Sequence, residues 1–415
     1  MSTPMIHQLP SSYRKVRSHL AFQILLIACC LLCACQSDPA PASSPAEEQL
    51  EGKEFKANPQ LIEEQKVAPL ALGAAAPDFN LIGVDGKYHS LKEYAAADIL
   101  VVVFTCNHCP TAQAYEQRLK DFTTDYQDRG VQVVAISPNS PLGVMYNELG
   151  YSDLDDRYED MVLRAEAAEF NFPYLYDGDD HAASLLYGPA ATPHTFVFDK
   201  SRKLRYVGRL DKTEKPGVLN ADDLRAAVDD LLAGREVALA ETKTFGCSTK
   251  WAWKADYKVK DEEKWEALPV SLAEIDVPGV KALLVNGDSE KLRLINLWAT
   301  WCGPCVAEYP DFLVLHRMYS GRDFEFISIS TDKPQRGKQA LAFLEKSNSS
   351  VTNYHFTGED IYELIEAIDP DWNGAIPYTI MVEPGGKVAY RHQAEVDFLE
   401  LRRVIVDHEM IGRYF

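Results

Sequence analysis

Basic residues are scarce in this chain of 415 residues. It has 42 Lys and Arg residues against 62 Asp and Glu residues, which gives a formal net charge of -20. Such a chain repels the phosphate backbone of nucleic acids, so we expect no nucleic-acid partner. Hydrophobic residues make up 46% of the chain and charged residues 25%, which is enough for two or three domains with cores of their own.

The N-terminus lacks an apolar run long enough to span a bilayer comfortably. The apolar run at positions 21–34 is shorter than the roughly 20 residues that a transmembrane helix needs. Arg14, Lys15 and Arg17 precede it. A positively charged flank before a short apolar run is typical of a signal peptide. We therefore interpret residues 1–35 as an export signal that ends at Cys35.

The apolar run ends in Leu-Cys-Ala-Cys at positions 32–35, which resembles the bacterial lipobox. The resemblance implies that Cys35 is lipidated and anchors a lipoprotein in the bacterial cell envelope, facing the periplasm. Gln36 and Ser37 follow Cys35, with no aspartate at the second position. By the same resemblance, this favours the outer membrane over the inner membrane. An ordinary signal peptide and an uncleaved anchor are the alternatives. Residues 36–66 are rich in Pro, Ala, Ser, Glu and Lys, which predicts a flexible tether.

Cysteine is rare in the rest of the chain. Five of the nine cysteines lie there, as two Cys-X-X-Cys pairs and one further residue: Cys106, Cys109, Cys247, Cys302 and Cys305. Zinc ribbons bring two such pairs close together in sequence, whereas these pairs are far apart, each in its own strand and helix pattern. We therefore expect no metal and no organic cofactor.

Each Cys-X-X-Cys pair follows an apolar run that predicts a buried strand and opens a stretch that predicts a helix. The helix dipole and the free N–H groups at a helix N-terminus stabilise a thiolate, so the first cysteine of each pair is predicted to be the nucleophile. The second cysteine can then attack the mixed disulfide and release the substrate. The sequence therefore predicts two catalytic dithiols in tandem, Cys106 with Cys109 and Cys302 with Cys305.

The residues around the first pair predict a strand–helix–strand unit. Residues 99–104 and 131–137 predict buried strands, and the amphipathic helix predicted between them favours parallel pairing. The order of elements over residues 67–250 resembles the redoxin (AhpC/TSA-like) branch of the thioredoxin superfamily. This resemblance implies that Pro193 is a cis-proline facing the dithiol. It also implies that the backbone of Thr192 pairs with an extended substrate chain.

The first pair departs from the peroxidases of this branch. Their Pro-X-X-X-Thr-X-X-Cys site is missing around Cys106. A peroxide-reducing enzyme, with Cys109 or Cys247 resolving a sulfenic acid on Cys106, is therefore the alternative function. Cys247 is either a resolving thiol that folds back on Cys106 or Cys109, or a buried unpaired cysteine. His108 resembles the histidine of protein disulfide isomerase, which implies an imidazolium that stabilises the thiolate; a solvated residue at the helix start is the other interpretation.

The second pair lies in a stretch, residues 294–305, that resembles thioredoxin closely. This resemblance implies that Trp301 shapes the surface around the pair and that Pro304 holds it to a reducing potential. It also identifies Ile376-Pro377 as the cis-proline step.

Asn296 occupies the position at which thioredoxin has a buried aspartate. Together with the export signal, this substitution makes residues 289–415 similar to the TlpA/ResA-like exported reductases. It leaves the proton acceptor of the second pair unassigned. The segment between the two units, residues 251–288, is charged and rich in tryptophan. We therefore expect it to pack partly against one domain and to lead into the second.

The sequence predicts an α/β protein with two thioredoxin-like domains, each a central mixed β-sheet flanked by helices. The predicted function is that of a membrane-anchored thiol–disulfide oxidoreductase that reduces protein disulfides and is recharged by an unidentified electron donor. Gly-Pro dithiols have reduction potentials near roughly −270 mV, and isomerase-like dithiols have reduction potentials near about −180 mV. This difference favours a relay of electrons from the second pair to the first. A non-catalytic module that binds extended clients is a further alternative, and the physiological direction of exchange stays open.

Overall fold

The structure is a computed structural model that describes residues 55–413. These residues belong to one compact unit that holds two large β-sheets. The predictions of a signal peptide and of lipidation at Cys35, and most of the predicted tether, lie outside them. Between residues 55 and 413, no helix has the length and apolar character needed to cross a membrane.

The N-terminal domain is built on the first large sheet. Its elements are β1 (Asn80–Gly83), β2 (Tyr88–Ser90), β3 (Ile99–Phe104), α1 (Pro110–Tyr126), β4 (Val131–Ser137), α2 (Tyr158–Ala167), β5 (Tyr174–Tyr176), α3 (Ser184–Tyr187), β6 (Ala191–Thr192), β7 (His194–Phe198), β8 (Leu204–Gly208), α4 (Asp222–Leu232) and β9 (Cys247–Ser248). The strand order is β2-β1-β5-β4-β3-β7-β8, and β6 and β9 form a separate two-stranded sheet.

Strand β3 lies near the middle of this sheet. It runs parallel to β4 and antiparallel to β7. All of its residues are buried, as expected for a strand that is covered on both faces. Because successive side chains point to opposite faces, β3 contributes to two cores. Val101 and Val103 join the core around Phe122 of α1, and Leu100 joins the core around Tyr187.

Helix α5 (Ala255–Glu266) lies in the segment between the two domains. Before it, Trp251 stacks on Trp253 with ring centroids 4.9 Å apart, and its ring lies 5.1 Å from that of His181 in the N-terminal domain. Near its end, Trp265 lies 5.6 Å from His316 of the C-terminal domain. The segment therefore packs against both domains, whereas the sequence predicted packing against one domain only.

The C-terminal domain is built on the second large sheet. Its elements are β10 (Ala273–Ile275), α6 (Val277–Val285), β11 (Leu292–Trp298), α7 (Gly303–Tyr319), β12 (Phe324–Ser330), α8 (Gly337–Lys346), β13 (Thr352–Phe356), α9 (Ile361–Ile368), β14 (Tyr378–Val382), β15 (Val388–Gln393) and α10 (Phe398–Asp407). The strand order is β10-β13-β12-β11-β14-β15. Strand β11 is parallel to β12 and antiparallel to β14, so this sheet is also mixed. The predicted fold class is confirmed.

The N-terminal domain begins before the predicted boundary at residue 67. Phe55 packs edge-on against Tyr158, with ring centroids 4.7 Å apart. The backbone N–H groups of Asn58 and Gln60 donate to Asp179, over 2.9 Å and 2.7 Å. The prediction of a flexible tether is therefore wrong for residues 55–60, because these contacts hold them against the domain.

The two domains meet through the insertion between β4 and α2. Asp153 of this insertion accepts hydrogen bonds from Arg403 at 3.0 Å and from Arg413 at 2.8 Å. Arg322 donates to the carbonyl oxygen of Gly150 at 2.8 Å. A Cβ atom on Gly150 would lie only 2.7 Å from a backbone oxygen of the C-terminal domain, so a larger residue would push the domains apart.

Helix α7 meets the insertion near its C-terminal end. The guanidinium carbon of Arg317 lies 5.7 Å from the ring centre of Tyr146, and the backbone oxygen that approaches Gly150 belongs to Met318. Cys302 caps the opposite end of the helix, which has 17 residues and spans about 25 Å at its ordinary rise per residue. The C-terminal dithiol therefore lies about 25 Å from these contacts, at the opposite end of α7.

Candidate active site

The C-terminal dithiol is oxidised and lies at the N-terminus of α7. Cys302 and Cys305 form a disulfide. Cys302 is the N-cap residue, and its sulfur accepts the Cys305 N–H at 3.3 Å. Gly303 and Pro304 form the first turn, where proline is favoured because its missing N–H has no helical partner. This is the geometry in which a helix start stabilises the first cysteine as a thiolate.

A solvent-facing groove runs beside this disulfide. Trp301 is 61% exposed, and the groove between it and Trp372 is lined further by Phe356, Ile361 and Ile376. The Ile376 carbonyl oxygen lies 3.7 Å from the Cys302 sulfur. The Ile376–Pro377 peptide bond is cis, as the resemblance to thioredoxin predicts. The groove therefore leads to the peptide step that contacts Cys302, which is itself only 5% exposed.

Glu308 is a candidate for the proton acceptor of the C-terminal dithiol, which the sequence left unassigned. It lies on α7, three residues after Cys305, a spacing that places two side chains on the same helix face. Burial raises the pKa of Glu308 to about 7, although the Val396 N–H and the Asn296 amide stabilise its ionised form. Asn296 itself is buried and donates to Thr379 at 3.1 Å. The helical spacing from Cys305 is the sequence signal that could have identified this carboxyl group.

The N-terminal dithiol is placed differently with respect to its helix. Helix α1 begins at Pro110, and Cys109 is its N-cap residue. Cys106 lies three residues before the cap, so the prediction that the first cysteine sits at the helix start is wrong for this pair. Both thiols are free and buried. In this domain the helix N-terminus therefore stabilises the second cysteine.

A buried carboxylate accounts for this shift. Asp156 accepts the backbone N–H groups of Asn107 and His108, at 2.8 Å and 3.0 Å, and its other oxygen lies 2.5 Å from Nδ1 of His108. Asn139 donates to that same oxygen at 2.7 Å. The two N–H groups that could otherwise join the first helical turn are thus turned toward Asp156. Sequence reasoning missed Asp156, because it lies in an insertion with no pattern that points to the dithiol.

Asp156 also fixes the charge of His108. The Asp156 carboxylate raises the pKa of His108 to about 9 against the opposing effect of burial, so His108 is an imidazolium at neutral pH. Its Nδ1 lies 3.7 Å from the Cys106 sulfur. The interpretation of His108 as a solvated residue is wrong because its side chain is buried.

Negative charge in the N-terminal dithiol resides on Cys109. Burial opposes ionisation there, but the thiols of Cys106 and Cys247 hydrogen-bond to its sulfur and His108 lies near, so the pKa of Cys109 falls well below its usual value. Burial, with the hydrogen bond to Cys109, raises the pKa of Cys106. Protonated Cys109 can donate instead to the Thr192 carbonyl oxygen at 3.2 Å.

The Thr192–Pro193 peptide bond is cis, as predicted, and lies against the dithiol. The Thr192 hydroxyl is 3.1 Å from the Cys106 sulfur. However, the backbone edge at which a substrate chain was expected to pair is covered by the protein itself. Strand β9 pairs antiparallel with β6, with Thr192 opposite Cys247. Cys247 is therefore neither remote from the dithiol nor fully buried.

Cys106, His108 and Asp156 also form a group with the residue types of a metal site. One potential ligand atom from each lies within 4.8 Å of the others. The Nδ1 atom of His108 is already engaged by Asp156. A metal ion at Nδ1 would have to displace that contact, so the group is better described as an ion pair beside a thiol.

The two dithiols occupy equivalent places in the two domains. Each follows a central strand, β3 or β11, and faces a cis-proline directly before an antiparallel strand, β7 or β14. This is the thioredoxin fold used twice, and the chain is a thiol–disulfide oxidoreductase in its class. The model of the AhpC/TSA family matches residues 72–207 and 256–391. These ranges cover more than half of the chain, which therefore belongs to the AhpC/TSA family.

Known proteins are similar to parts of the chain. The thiol-disulfide oxidoreductase ResA of Geobacillus thermodenitrificans is 25% identical over 140 residues, which cover 33% of this chain and 69% of ResA. The thiol:disulfide interchange protein HelX of Rhodobacter capsulatus is 28% identical over 148 residues, covering 33% of this chain and 77% of HelX. The solved structure of an uncharacterized conserved protein from Geobacillus kaustophilus has 35% sequence identity with the chain and a TM-score of 0.39. The match covers 44% of this chain and 92% of the chain in that structure.

Proposed function

We propose that this protein is an exported thiol–disulfide oxidoreductase of the cell envelope whose C-terminal dithiol reduces disulfides in protein clients. The observation that supports this most directly is the Cys302–Cys305 disulfide at the start of α7, beside the exposed Trp301. A redox-active pair needs one sulfur that a partner can reach and a second held within reach of the first. The groove beside Cys302 gives the access, and the first turn of α7 gives the spacing.

The exchange transfers two electrons. The Cys302 thiolate attacks one sulfur of a client disulfide, the client S–S bond breaks, and a mixed disulfide forms. Cys305 then attacks Cys302, the mixed disulfide breaks, and the client leaves with both of its sulfurs reduced. Cys305 must lose a proton to attack. Glu308, whose pKa is about 7, can accept this proton at neutral pH and return it in the reverse reaction.

Export and anchoring rest on the sequence. The lipobox-like end of the apolar run supports lipidation at Cys35, a position in the envelope facing the periplasm, and preferentially the outer membrane. Clients are then envelope proteins with disulfides or thiols, and a separate reductant recharges the C-terminal dithiol. Replacing Cys35 by Ser is expected to release the protein from the membrane fraction, and unchanged fractionation would contradict lipidation at this residue.

A direct relay between the two dithiols has less support. Cys302 lies at the end of α7 opposite to Met318, which approaches the N-terminal domain. Exchange between the pairs would need a second copy of the chain, a carrier or separation of the domains. Peroxide reduction at Cys106 is also less favoured, because burial raises the pKa of this thiol and a peroxidatic cysteine must ionise.

The decisive measurement is the reduction potential of each pair in the full-length protein. The chain is equilibrated in a dithiothreitol or glutathione redox series, its thiols are trapped, and each pair is quantified by mass spectrometry. We expect the C-terminal pair to titrate nearer to roughly −270 mV than to about −180 mV and the wild-type chain to reduce insulin. A C-terminal pair that never titrates, with no insulin reduction, would contradict the proposal and leave a client-binding module.

A further inference from the structure

Strand β9 lies across the N-terminal dithiol and is held on both sides. Thr244 donates to the Pro193 carbonyl oxygen at 2.8 Å before the strand. After it, the backbone N–H of Lys250 donates to the Asn139 side chain at 2.8 Å. The backbone of residues 245–250 is therefore fixed over the dithiol at two points.

Gly246 shows how closely this segment approaches the dithiol. Its φ is +132°, a conformation that favours glycine, and a Cβ atom there would lie 2.1 Å from the Thr192 carbonyl oxygen. Any side chain at this position would lift the strand away from Thr192. The contact is thus made by the backbone itself, and it places the next residue, Cys247, at a defined position.

Three sulfurs meet around Thr192. The Cys247 N–H donates to the Cys109 sulfur at 3.4 Å, and the Cys247 thiol is also hydrogen-bonded to that sulfur. The Cys106 thiol approaches Cys109 from the other side, with its sulfur 3.1 Å from the Thr192 hydroxyl. Cys106 and Cys109 are buried, whereas Cys247 is only partly buried. Of the three cysteines, Cys247 is the one that is not fully buried.

We propose that Cys247 is a third redox-active thiol that exchanges disulfides with Cys109 and gives reductants access to the buried pair. The proposal goes beyond the proposed function, which concerns the C-terminal dithiol, and it requires that Cys109 cycle between thiol and disulfide. It assigns Cys247 as the resolving thiol, the role that the sequence had left open beside that of an unpaired cysteine.

The step is balanced without an outside oxidant. The hydrogen bond to the Cys109 thiol is the largest cause of the raised pKa of Cys247, and it is absent when Cys109 is in a disulfide with Cys106. From that disulfide, Cys247 loses its proton and attacks the Cys109 sulfur, the Cys109–Cys247 bond forms, and the Cys106–Cys109 bond breaks. Cys106 leaves as a thiolate and takes up the proton that Cys247 lost. The His108 imidazolium, 3.7 Å from the Cys106 sulfur, lies where it can stabilise the leaving thiolate. The oxidised domain then carries its disulfide at the surface and keeps a free thiol inside.

The test uses the full-length chain with Cys106→Ser. The protein is equilibrated in a glutathione series, quenched with acid, alkylated and digested, and linked peptides are identified by mass spectrometry. We expect a Cys109–Cys247 disulfide whose equilibrium constant lies within about tenfold of that of the wild-type N-terminal pair. If Cys109 and Cys247 both remain free thiols that can be alkylated at the most oxidising glutathione ratio, the proposal is wrong.

A matched control moves the thiol by one residue, in the variant Cys106→Ser with Cys247→Ser and Ser248→Cys. Successive side chains of a strand point to opposite faces, so no disulfide with Cys109 is expected. If this variant forms a disulfide with Cys109 as readily as the Cys106→Ser variant does, the position of Cys247 has no special role and the proposal is wrong.

Wild-type protein, sampled during partial oxidation, does not depend on the folding of any variant. A Cys109–Cys247 link is expected there as well. If the only N-terminal disulfide at any time joins Cys106 to Cys109, the proposal fails, while normal insulin reduction in the same sample leaves the proposed function intact.

Discussion

The two dithiols share one fold position, yet they differ in where the helix begins. In the C-terminal domain the first cysteine caps α7 and accepts the N–H of the second. In the N-terminal domain the second cysteine caps α1, because Asp156 takes up the N–H groups of Asn107 and His108. A single buried carboxylate thus changes which sulfur lies at the positive end of the helix. Identical spacing in the sequence does not imply identical roles for the two cysteines.

The surroundings of the dithiols differ as much as their caps. The C-terminal pair opens onto a groove with the exposed Trp301, whereas β9 of the same chain covers the N-terminal pair. The C-terminal site is therefore arranged for a partner molecule and the N-terminal site for an internal one.

The largest expected effect separates the two sites by activity. Cys302→Ser removes the attacking sulfur of the C-terminal pair, so insulin reduction should fall at least about a thousandfold. Cys106→Ser should leave the rate within about a factor of two, because client reduction does not pass through the buried pair. An equal loss in both variants, measured with the same reductant, would mean that the sites act in series.

The next largest effect concerns Asp156, the carboxylate that binds the backbone before the N-cap of α1. Asp156→Asn leaves the buried His108 without its charged partner, which should destabilise the N-terminal domain by about 3 kcal/mol. Urea unfolding of this domain can be followed by a deuterium pulse at fixed pH, read by mass spectrometry on peptides of β3. Asp155→Asn is the matched control and should have little effect, since an amide oxygen at this position can still accept the Asp156 N–H at 2.6 Å.

The same ion pair predicts a pH dependence of stability. The pKa of His108 is raised from 6.5 to about 9 in the folded protein. Its contribution is therefore complete below pH 6.5 and is lost as the pH rises through 9, on the order of 3 kcal/mol. The same unfolding measurement between pH 6 and 9.5 should show this loss in the wild type. A His108→Gln variant should show a much flatter profile, and parallel profiles would refute the assignment.

The smallest effect concerns proton transfer in the C-terminal domain. With Glu308 near pKa 7, the rate of insulin reduction should rise through neutral pH as this carboxylate becomes able to accept a proton. Glu308→Gln should lower the rate at pH 8 about tenfold and remove the inflection. Asp311→Asn, which changes an exposed acid on the same helix, should keep the inflection and move it slightly to lower pH, because the Asp311 charge contributes to the raised pKa of Glu308. Retention of the inflection in Glu308→Gln would assign it to another group.

Local sequence patterns predicted the framework of both domains well. The predicted strands at residues 99–104 and 131–137 coincide with β3 and β4, because mainly apolar runs of that length favour burial; β3 is buried throughout, and in β4 only Gln132 is exposed. Both cis-prolines also lie where the resemblance placed them. These features depend on neighbouring residues or on a recognised order of elements, so a single sequence is enough to find them.

The parts that escaped prediction depend on contacts between distant residues. Asp156 reaches the dithiol from an insertion, and Cys247 reaches it by pairing with Thr192 across 55 positions. No periodicity marks either contact. Glu308 differs, because its spacing from Cys305 is visible in the sequence. Its raised pKa, which makes it a proton acceptor near neutral pH, comes chiefly from burial, and the sequence does not show that burial.

The length of α7 has a kinetic consequence. Because Cys302 and the contacts with the N-terminal domain lie at opposite ends of this helix, joining the two dithiols in one chain gives them no high effective concentration for each other. Without a carrier and without separation of the domains, any equilibration of electrons between them should follow second-order kinetics in protein concentration. In dilute solution the two centres should therefore hold different oxidation states for long periods, as two separate stores of electrons on one molecule.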